Sequence, residues 1–183
     1  MRTLAVTQNI TLDGAVEMLD DWFDPQAAGD DDQAAAAHEL SAACDAILLG
    51  RRTFEDFRGY WPRQIDDRTG VSDELNRIAK YVVSATLADP QWSNSTVLHG
   101  DPVAAVAELK RGDGRDIVVT GSIGLTHVLF RAGLVDQINL WTFPVVQGRG
   151  RRLFPDGWSP DRVRLVDCRS FGSGVVLTRY TVR

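Results

Sequence analysis

The chain has 183 residues, of which 44% are hydrophobic, and a formal net charge of −5. This length favours a single domain, residues 1–183, that can enclose one complete core. The acidity argues against a nucleic-acid partner, and the lack of a ~20-residue apolar span or a signal peptide favours a cytoplasmic protein with no membrane contact.

Strand-like and helix-like apolar patterns alternate along the chain. Short apolar runs predict strands, and apolar residues at helical spacing predict the helices between them. In chain order, the sequence predicts a strand at 4–10, a helix at 33–44, a strand at 46–50, helices starting at 51 and 72, strands at 80–86 and 95–100, a helix at 102–111, a strand at 116–121, a helix at 124–132, and two long antiparallel strands at 135–146 and 175–182.

This order of elements predicts an α/β fold. Alternating strands and helices form a mostly parallel central sheet with helices on both faces, and the last two strands add an antiparallel C-terminal edge. In such sheets, ligands bind in the crevice outside the carboxyl ends of the strands. A binding site is therefore expected where the predicted parallel strands end.

Two predicted strands end in glycine-containing turns that lead into helices. AILL is followed by GRRTF (50–54), and DIVVT is followed by GSIG (121–124). Glycine lets the backbone approach a ligand closely, and a helix N-terminus offers free N–H groups to an anion. Each turn alone has another explanation, because glycine also closes turns for steric reasons and arginine often lies where a strand returns to water. The two turns together favour a phosphate site.

The residues of these turns suit a ligand with two separate phosphate groups. A pyrophosphate fits the GSIG turn, which consists of Gly121, Ser122, Ile123 and Gly124. A second phosphate fits a group made of Arg51, Arg52, Thr53, Ser84 and Thr86. NADPH carries both phosphates, and the planar arginine guanidinium matches phosphate geometry. The chain has neither a P-loop nor a G-x-G-x-x-G motif.

Cysteine and histidine give no signal for a metal site. Cys44 and Cys168 lack the spacing of metal ligands, and His38, His99 and His127 are scattered singly. We therefore expect no metal cofactor.

The chain resembles the dihydrofolate-reductase-like superfamily, especially the branch related to the C-terminal reductase domain of the bifunctional riboflavin-biosynthesis deaminase-reductase. The motifs that carry the resemblance are TLDG (11–14), LLGRRTFEDF (48–57), KYVVSAT (80–86), the segment from VVTGSIG to GRGRRLF (118–154) and the final strand. The resemblance implies NADPH-dependent hydride transfer to a pyrimidine or pterin, such as 5-amino-6-(5-phosphoribosylamino)uracil or dihydrofolate.

The resemblance also implies which residues meet which part of the cofactor. Gly50–Thr53 and Ser84 would lie at the adenosine 2′-phosphate, and Gly121–Gly124 at the pyrophosphate. The nicotinamide would lie at the strand end formed by Gln8, Asn9 and Ile10.

The chain departs from the family pattern in three places. Ser122 stands where the family often has the second of two adjacent glycines. The aspartate pair and proline of the riboflavin reductases are missing after GRRTF, where this chain has EDFRGYW. The zinc deaminase signature is also absent, so the chain is expected to be a stand-alone reductase-like domain whose substrate stays open.

Several side chains are candidates for the substrate side. Asp13 and Asp56 are candidate catalytic groups, and Asp13, Trp22 and Trp61 are candidate substrate contacts. Alternatively, Asp13 closes a tight turn with the next glycine. The acidic stretch at 20–32 is alternatively a solvated loop. The two tryptophans are equally suited to packing.

Two functions remain open from the sequence. One is an NADPH-dependent reductase of a small heterocycle; the other is a non-catalytic NADPH-binding or dimerisation module with the same fold. The cofactor motifs favour the first, and the missing substrate motif leaves the second open. A homodimer is expected in either case, because the long C-terminal strands would leave a sheet edge near Trp141, Phe143 and Tyr180 that needs covering.

Overall fold

The computed structural model describes residues 1–27 and 30–183, which form one eight-stranded sheet with helices on both faces. The strands are β1 (Leu4–Thr11), β2 (Cys44–Gly50), β3 (Ala79–Val83), β4 (Ser95–Leu98), β5 (Asp116–Val119), β6 (Gln137–Phe143), β7 (Val163–Ser170) and β8 (Val176–Val182). The helices are α1 (Asp31–Ala42), α2 (Arg51–Tyr60), α3 (Val71–Arg77), α4 (Pro102–Arg111) and α5 (Ile123–Arg131), and a short 3₁₀ helix (Trp61–Arg63) follows α2.

The strand order is β4-β3-β2-β5-β1-β6-β8-β7. The six strands from β4 to β6 are parallel, whereas β8 runs antiparallel to both of its neighbours. This confirms the predicted mostly parallel sheet with an antiparallel C-terminal edge. Among the described residues, no helix combines the length and the apolar character that crossing a membrane requires.

Three details differ from the prediction. Cys44 begins β2 rather than ending a helix, because α1 ends at Ala42 with Ala43 as its C-cap; α1 also starts earlier than predicted, at an Asp30 N-cap whose side chain accepts from the Gln33 N–H. The strand predicted at 135–146 is the shorter β6. It pairs parallel with β1 on one side and antiparallel with β8 on the other. The apolar pattern does not predict β7, where a register shift between Leu165 and Asp167 interrupts the alternation.

The core is divided between the two faces of the sheet. On one face, α4 and α5 contribute Val106, Ile123 and Leu129 to the main cluster. On the other face, α2 and α3 cover β2 and β3, and α1 covers β6 and β8 through Ala36. Because β2, β5 and β1 are adjacent and parallel, their carboxyl ends meet at one edge, where α2 and α5 begin.

Candidate functional site

The turn after β5 is held to the centre of the sheet by one side chain. Gln8 of β1 is 4% exposed, and its amide pairs with both backbone groups of Gly121. Its Nε2 donates to the Gly121 carbonyl over 2.8 Å, and the Gly121 N–H donates to its Oε1 over 3.1 Å. These bonds occupy the Gln8 amide, so this side chain shapes the turn.

The same turn is bonded to the start of α2. The Gly50 N–H donates to Ser122 Oγ over 2.9 Å, and the Ser122 N–H donates to Thr53 Oγ1 over 3.0 Å. The two glycine-containing turns singled out in the sequence are therefore direct neighbours. Chain positions about 70 residues apart meet because β2 and β5 are adjacent parallel strands.

The first turn of α5 offers unpaired N–H groups. The opening N–H groups of a helix have no partner within it, and among the described residues no side chain caps α5. Gly124 is exposed in this turn, and a Cβ added there would meet no atom of the described chain within 4 Å. The start of α5 can therefore approach an anion closely.

Gly121 is glycine for a different reason. Its φ is +56°, and an added Cβ would lie 2.9 Å from the Thr53 Cγ2 methyl. Both the backbone conformation and the space exclude a side chain. The sequence treats the two glycines of the turn alike, but only Gly124 faces open space.

Two arginines lie exposed at the start of α2. Arg51 Nη1 lies 3.0 Å from a carboxylate oxygen of Glu55, an exposed helical pair of the kind typically worth about 0.3–0.5 kcal/mol. Arg52 makes no ion pair or hydrogen bond with any residue that the structure describes. A phosphate at this helix start would meet one unpaired guanidinium and one that is held only weakly.

Ser84 and Thr86 lie in the turn after β3. Val83 of β3 pairs in register with Gly50 of β2, which places this turn beside the start of α2. Ser84 is 8% exposed, and its Oγ accepts from the N–H groups of Thr86 and Leu87 over 3.1 and 3.0 Å. The Ser84 hydroxyl therefore closes the turn, while the Thr86 side chain is exposed.

The strand end assigned to the nicotinamide has two different faces. Ile10 belongs to the main core cluster and is 7% exposed, so it can offer a ligand little beyond its backbone. Asn9 is half-buried and pairs in register with Trp141 of β6. The structure thus places Asn9 on the face opposite Gln8 and Ile10, as the alternation of a strand requires.

Asp13 ties the end of β1 to the loop after β6. The Thr11 hydroxyl donates to its carboxylate over 2.6 Å, and the N–H groups of Gln147 and Gly148 donate over 3.1 and 2.9 Å. These bonds, led by the one from Thr11, lower the pKa of Asp13 to about 2. Asp13 therefore stays ionised at neutral pH and is a poor proton donor there.

The remaining sequence candidates are Trp22, Trp61 and Asp56. Trp22 is half-buried against Phe143 at the end of β6, with a ring separation of 5.2 Å, and its Nε1 donates to Gln147 Oε1 over 2.8 Å. Trp61 is 7% exposed in the core cluster beneath α2 and α3. Asp56 is exposed on α2 and has no hydrogen-bond partner among the described residues.

A cavity of about 550 Å³ lies on the face covered by α1. Thr7, Asn139 and Trp141 of β1 and β6 line it, and Thr120 reaches it from the position before Gly121. Asn139 is 3% exposed and donates from Nδ2 to Thr7 Oγ1 over 3.0 Å. The cavity therefore begins beside the glycine turn and has polar groups among its lining strand residues.

The model of the RibD C-terminal domain family matches residues 2–177. The chain belongs to the RibD C-terminal domain family. This confirms the resemblance to the reductase domain of riboflavin-biosynthesis proteins that the sequence motifs indicate. The match covers the glycine turns, both exposed arginines and the cavity lining.

Two relatives and two solved structures are similar to this chain over nearly its whole length. The uncharacterised proteins YyaP and YwjB of Bacillus subtilis (strain 168) are 31% and 26% identical, with 98% and 92% of this chain aligned to 94% and 91% of theirs. A candidate riboflavin biosynthesis protein from Shewanella sp. PV-4 superimposes with a TM-score of 0.74 at 18% identity over 99% of both chains. A pyrimidine reductase-like protein from Corynebacterium diphtheriae superimposes with a TM-score of 0.69 at 16% identity, over 100% of this chain and 92% of that one.

In this RibD C-terminal domain, the sequence candidates leave out two carboxylates that line the cavity, Asp31 and Glu74. Glu74 accepts a hydrogen bond from the Ser41 hydroxyl. Asp31 is exposed in the first turn of α1 and has no hydrogen-bond partner among residues 1–27 and 30–183. The sequence prediction includes it only in the acidic stretch at 20–32. The sequence feature that could have pointed to Asp31 is Asp30. An aspartate just before a helical pattern marks an N-cap, and the residue after it then lies in the first turn of the helix.

Proposed function

We propose that this RibD C-terminal domain is an NADPH-dependent reductase that transfers a hydride to a small heterocycle of pyrimidine or pterin type. One observation carries the proposal: two helix starts suited to phosphate are bonded together at the sheet edge, directly beside a cavity of about 550 Å³. The family membership supports a reductase.

The residues at the two helix starts fit the cofactor. The uncapped start of α5 with the open space at Gly124 suits a pyrophosphate, and the exposed Arg51 and Arg52 suit the 2′-phosphate. The exposed Thr86 and the half-buried Asn9 would add polar contacts to the adenosine and nicotinamide ends. Bound NADPH would supply the hydride, while the chain supplies binding and orientation.

The cavity fits the substrate. Trp141 contributes an aromatic side chain to its lining, and Asn139 with Thr7 offers polar atoms at one wall. Asp31 offers a carboxylate without a described partner, which can accept hydrogen bonds from an amino-substituted heterocycle. Asp31 therefore joins Asp56 as a candidate catalytic group and is the better placed of the two.

The test has two steps. Fluorescence titration measures binding of NADPH and NADH, and NADPH consumption is then followed with a panel of oxidised pterins and of aminopyrimidines with and without a phosphoribosyl group. We expect NADPH to bind more tightly and at least one heterocycle to be reduced. Asp31→Asn should lower turnover at least tenfold, and the matched variant Asp56→Asn should not.

The outcomes separate the two hypotheses left open by the sequence. Failure to bind NADPH overturns the proposal. Tight NADPH binding with no turnover across the panel favours a non-catalytic NADPH-binding module. Loss of turnover in Asp56→Asn but not in Asp31→Asn would move the catalytic group from the cavity to α2.

A further inference from the structure

A small hydrogen-bonded unit connects β1, the start of α2 and the start of α5. We call it the clasp; it consists of Gln8, Gly50, Thr53, Gly121 and Ser122. We propose that Ser122 is a positioning residue, which fixes the separation of the two helix starts so that both phosphate groups of one dinucleotide meet a prearranged site. The inference rests on the proposed function and deepens it.

Two polar groups of Ser122, its backbone N–H and its Oγ as an acceptor, are used within the protein. Its Oγ accepts from Gly50 N–H over 2.9 Å, and its N–H donates to Thr53 Oγ1 over 3.0 Å. The residue is 9% exposed. Ser122 therefore ties the start of α5 to the start of α2, and its backbone N–H is not free for the direct pyrophosphate contact that the sequence predicts.

The backbone of the clasp adopts a conformation that the hydrogen bonds must maintain. Gly121 and Ser122 have consecutive positive φ values of +56° and +47°. Glycine adopts this region readily, but serine does so at a cost, so a serine persists there only where surrounding contacts determine its position. The bonds to Gly50, Thr53 and Gln8 provide those contacts.

The Gln8 amide completes the clasp on its third side. It is buried and bonded to both the N–H and the carbonyl of Gly121. The start of α5 is thus fixed to the central strand as well as to α2. Because a preorganised site loses less conformational freedom on binding, the clasp should favour ligands that contact both helix starts at once.

The test compares two ligands that carry different numbers of the phosphate groups. NADP⁺ carries both the pyrophosphate and the 2′-phosphate, whereas 2′-AMP carries only the latter. We expect Ser122→Ala to weaken NADP⁺ by about fivefold to tenfold, the equivalent of one hydrogen bond, and 2′-AMP by less than twofold. Ser122→Gly provides a second variant without the hydroxyl, in a residue that accepts the positive φ without strain.

The control is another buried serine, the second residue of α3, which does not belong to the clasp. Ser72 is 4% exposed and donates from Oγ to the Trp61 carbonyl over 2.7 Å, so Ser72→Ala removes a comparable buried hydrogen bond. It should lower the melting temperature while leaving the ratio of the two dissociation constants unchanged. This ratio responds to positioning and not to a general loss of stability.

Each result decides the inference. Equal weakening of both ligands in Ser122→Ala and Ser122→Gly, or unchanged NADP⁺ binding, overturns it. A parent protein that binds NADP⁺ but not 2′-AMP also overturns it, because the start of α2 would not be an independent phosphate site. A parent that binds neither ligand instead removes the proposed function itself.

Discussion

At the scale of single residues, Arg51 and Arg52 should select NADPH over NADH. Each charge-assisted hydrogen bond to a phosphate contributes roughly 1.5–3 kcal/mol, or about ten- to a hundredfold in affinity. We expect Arg51→Ala and Arg52→Ala to weaken NADPH binding by this factor for each hydrogen bond removed and to leave NADH nearly unchanged. Fluorescence titration with both cofactors measures the difference.

Arg111 provides the control for these variants. It is exposed and pairs with Glu108 within α4, as Arg51 pairs with Glu55 within α2, but it lies at the end of its helix. Arg111→Ala should bind NADPH as the parent does. Equal weakening of NADPH and NADH in the α2 variants would contradict the 2′-phosphate assignment.

A substitution at Gly124 tests whether the start of α5 is a ligand site or whether its glycines serve only the geometry of the turn. An added side chain there meets open space, and because glycine is the poorest helix former after proline, Gly124→Val should fold at least as stably as the parent. The valine side chain should occupy space that a pyrophosphate needs, so we expect NADPH affinity to fall at least tenfold. Melting temperature and dissociation constant are measured on the same variant.

Gly121→Val is the contrasting variant. Its valine would contact the Thr53 methyl at a positive φ, so this protein should lose about 1–3 kcal/mol of stability whatever it binds. If Gly124→Val is folded and binds NADPH as tightly as the parent, the start of α5 does not hold the pyrophosphate.

At the scale of elements, a buried lysine joins β3 to the end of α3. Lys80 is 1% exposed, and its Nζ donates to the carbonyls of Leu75 and Ile78 over 2.6 and 2.9 Å, while lying 4.6 Å from the centre of the Trp92 ring. Burial lowers the pKa of Lys80 from 10.5 to about 8. The side chain thus satisfies helix-end carbonyls, but its charge is disfavoured in the folded state.

This burial predicts a specific pH dependence of stability. Between about pH 8 and 10.5 the unfolded chain holds a proton on Lys80 that the folded protein has released, so this residue makes the free energy of unfolding rise with pH. In Lys80→Met that contribution is absent, and the parent should gain stability relative to the variant across this range. Urea unfolding of both proteins at several pH values measures it; parallel pH profiles would contradict the assignment.

At the scale of the whole molecule, β7 is the long edge strand of the sheet, and the four-residue β4 forms the other edge. The strands that the sequence places at the edge are interior, since β6 lies between β1 and β8, and Trp141 is 7% exposed. In contrast, Val163, Leu165 and Val166 of β7 are 46%, 50% and 49% exposed. A long edge strand with exposed apolar side chains usually pairs with another chain or is covered.

We therefore expect β7 to pair with β7 of a second copy. Light scattering at tens of micromolar should give the mass of a homodimer, and Leu165→Lys should give a monomer that keeps its fold. Val128→Lys is the control, because Val128 is 37% exposed on α5, away from the sheet edge. A monomeric parent would refute the expected dimer.

The sequence by itself determined the positions of the two glycine turns and the order of the elements, apart from β7 and the short 3₁₀ helix. Both follow from local chemistry: the spacing of apolar residues distinguishes strand from helix, and residues such as those of GRRTF and GSIG mark where a strand passes into a helix. Parallel pairing then brings the turns to one edge. For this reason the α/β fold and the meeting of the two glycine turns at one sheet edge could be predicted from the amino-acid order.

The tertiary structure alone decided the roles of individual polar and aromatic residues. Asp13 is held by the loop at 147–148, Trp61 packs beneath α2 and α3, Ser122 bonds to Gly50, and Asp31 reaches the cavity. The acidic N-terminal segment likewise meets basic residues far along the chain, as Glu17 does with Arg151. Such contacts join positions more than 70 or 130 residues apart, and local periodicity carries no information about which distant residues pair.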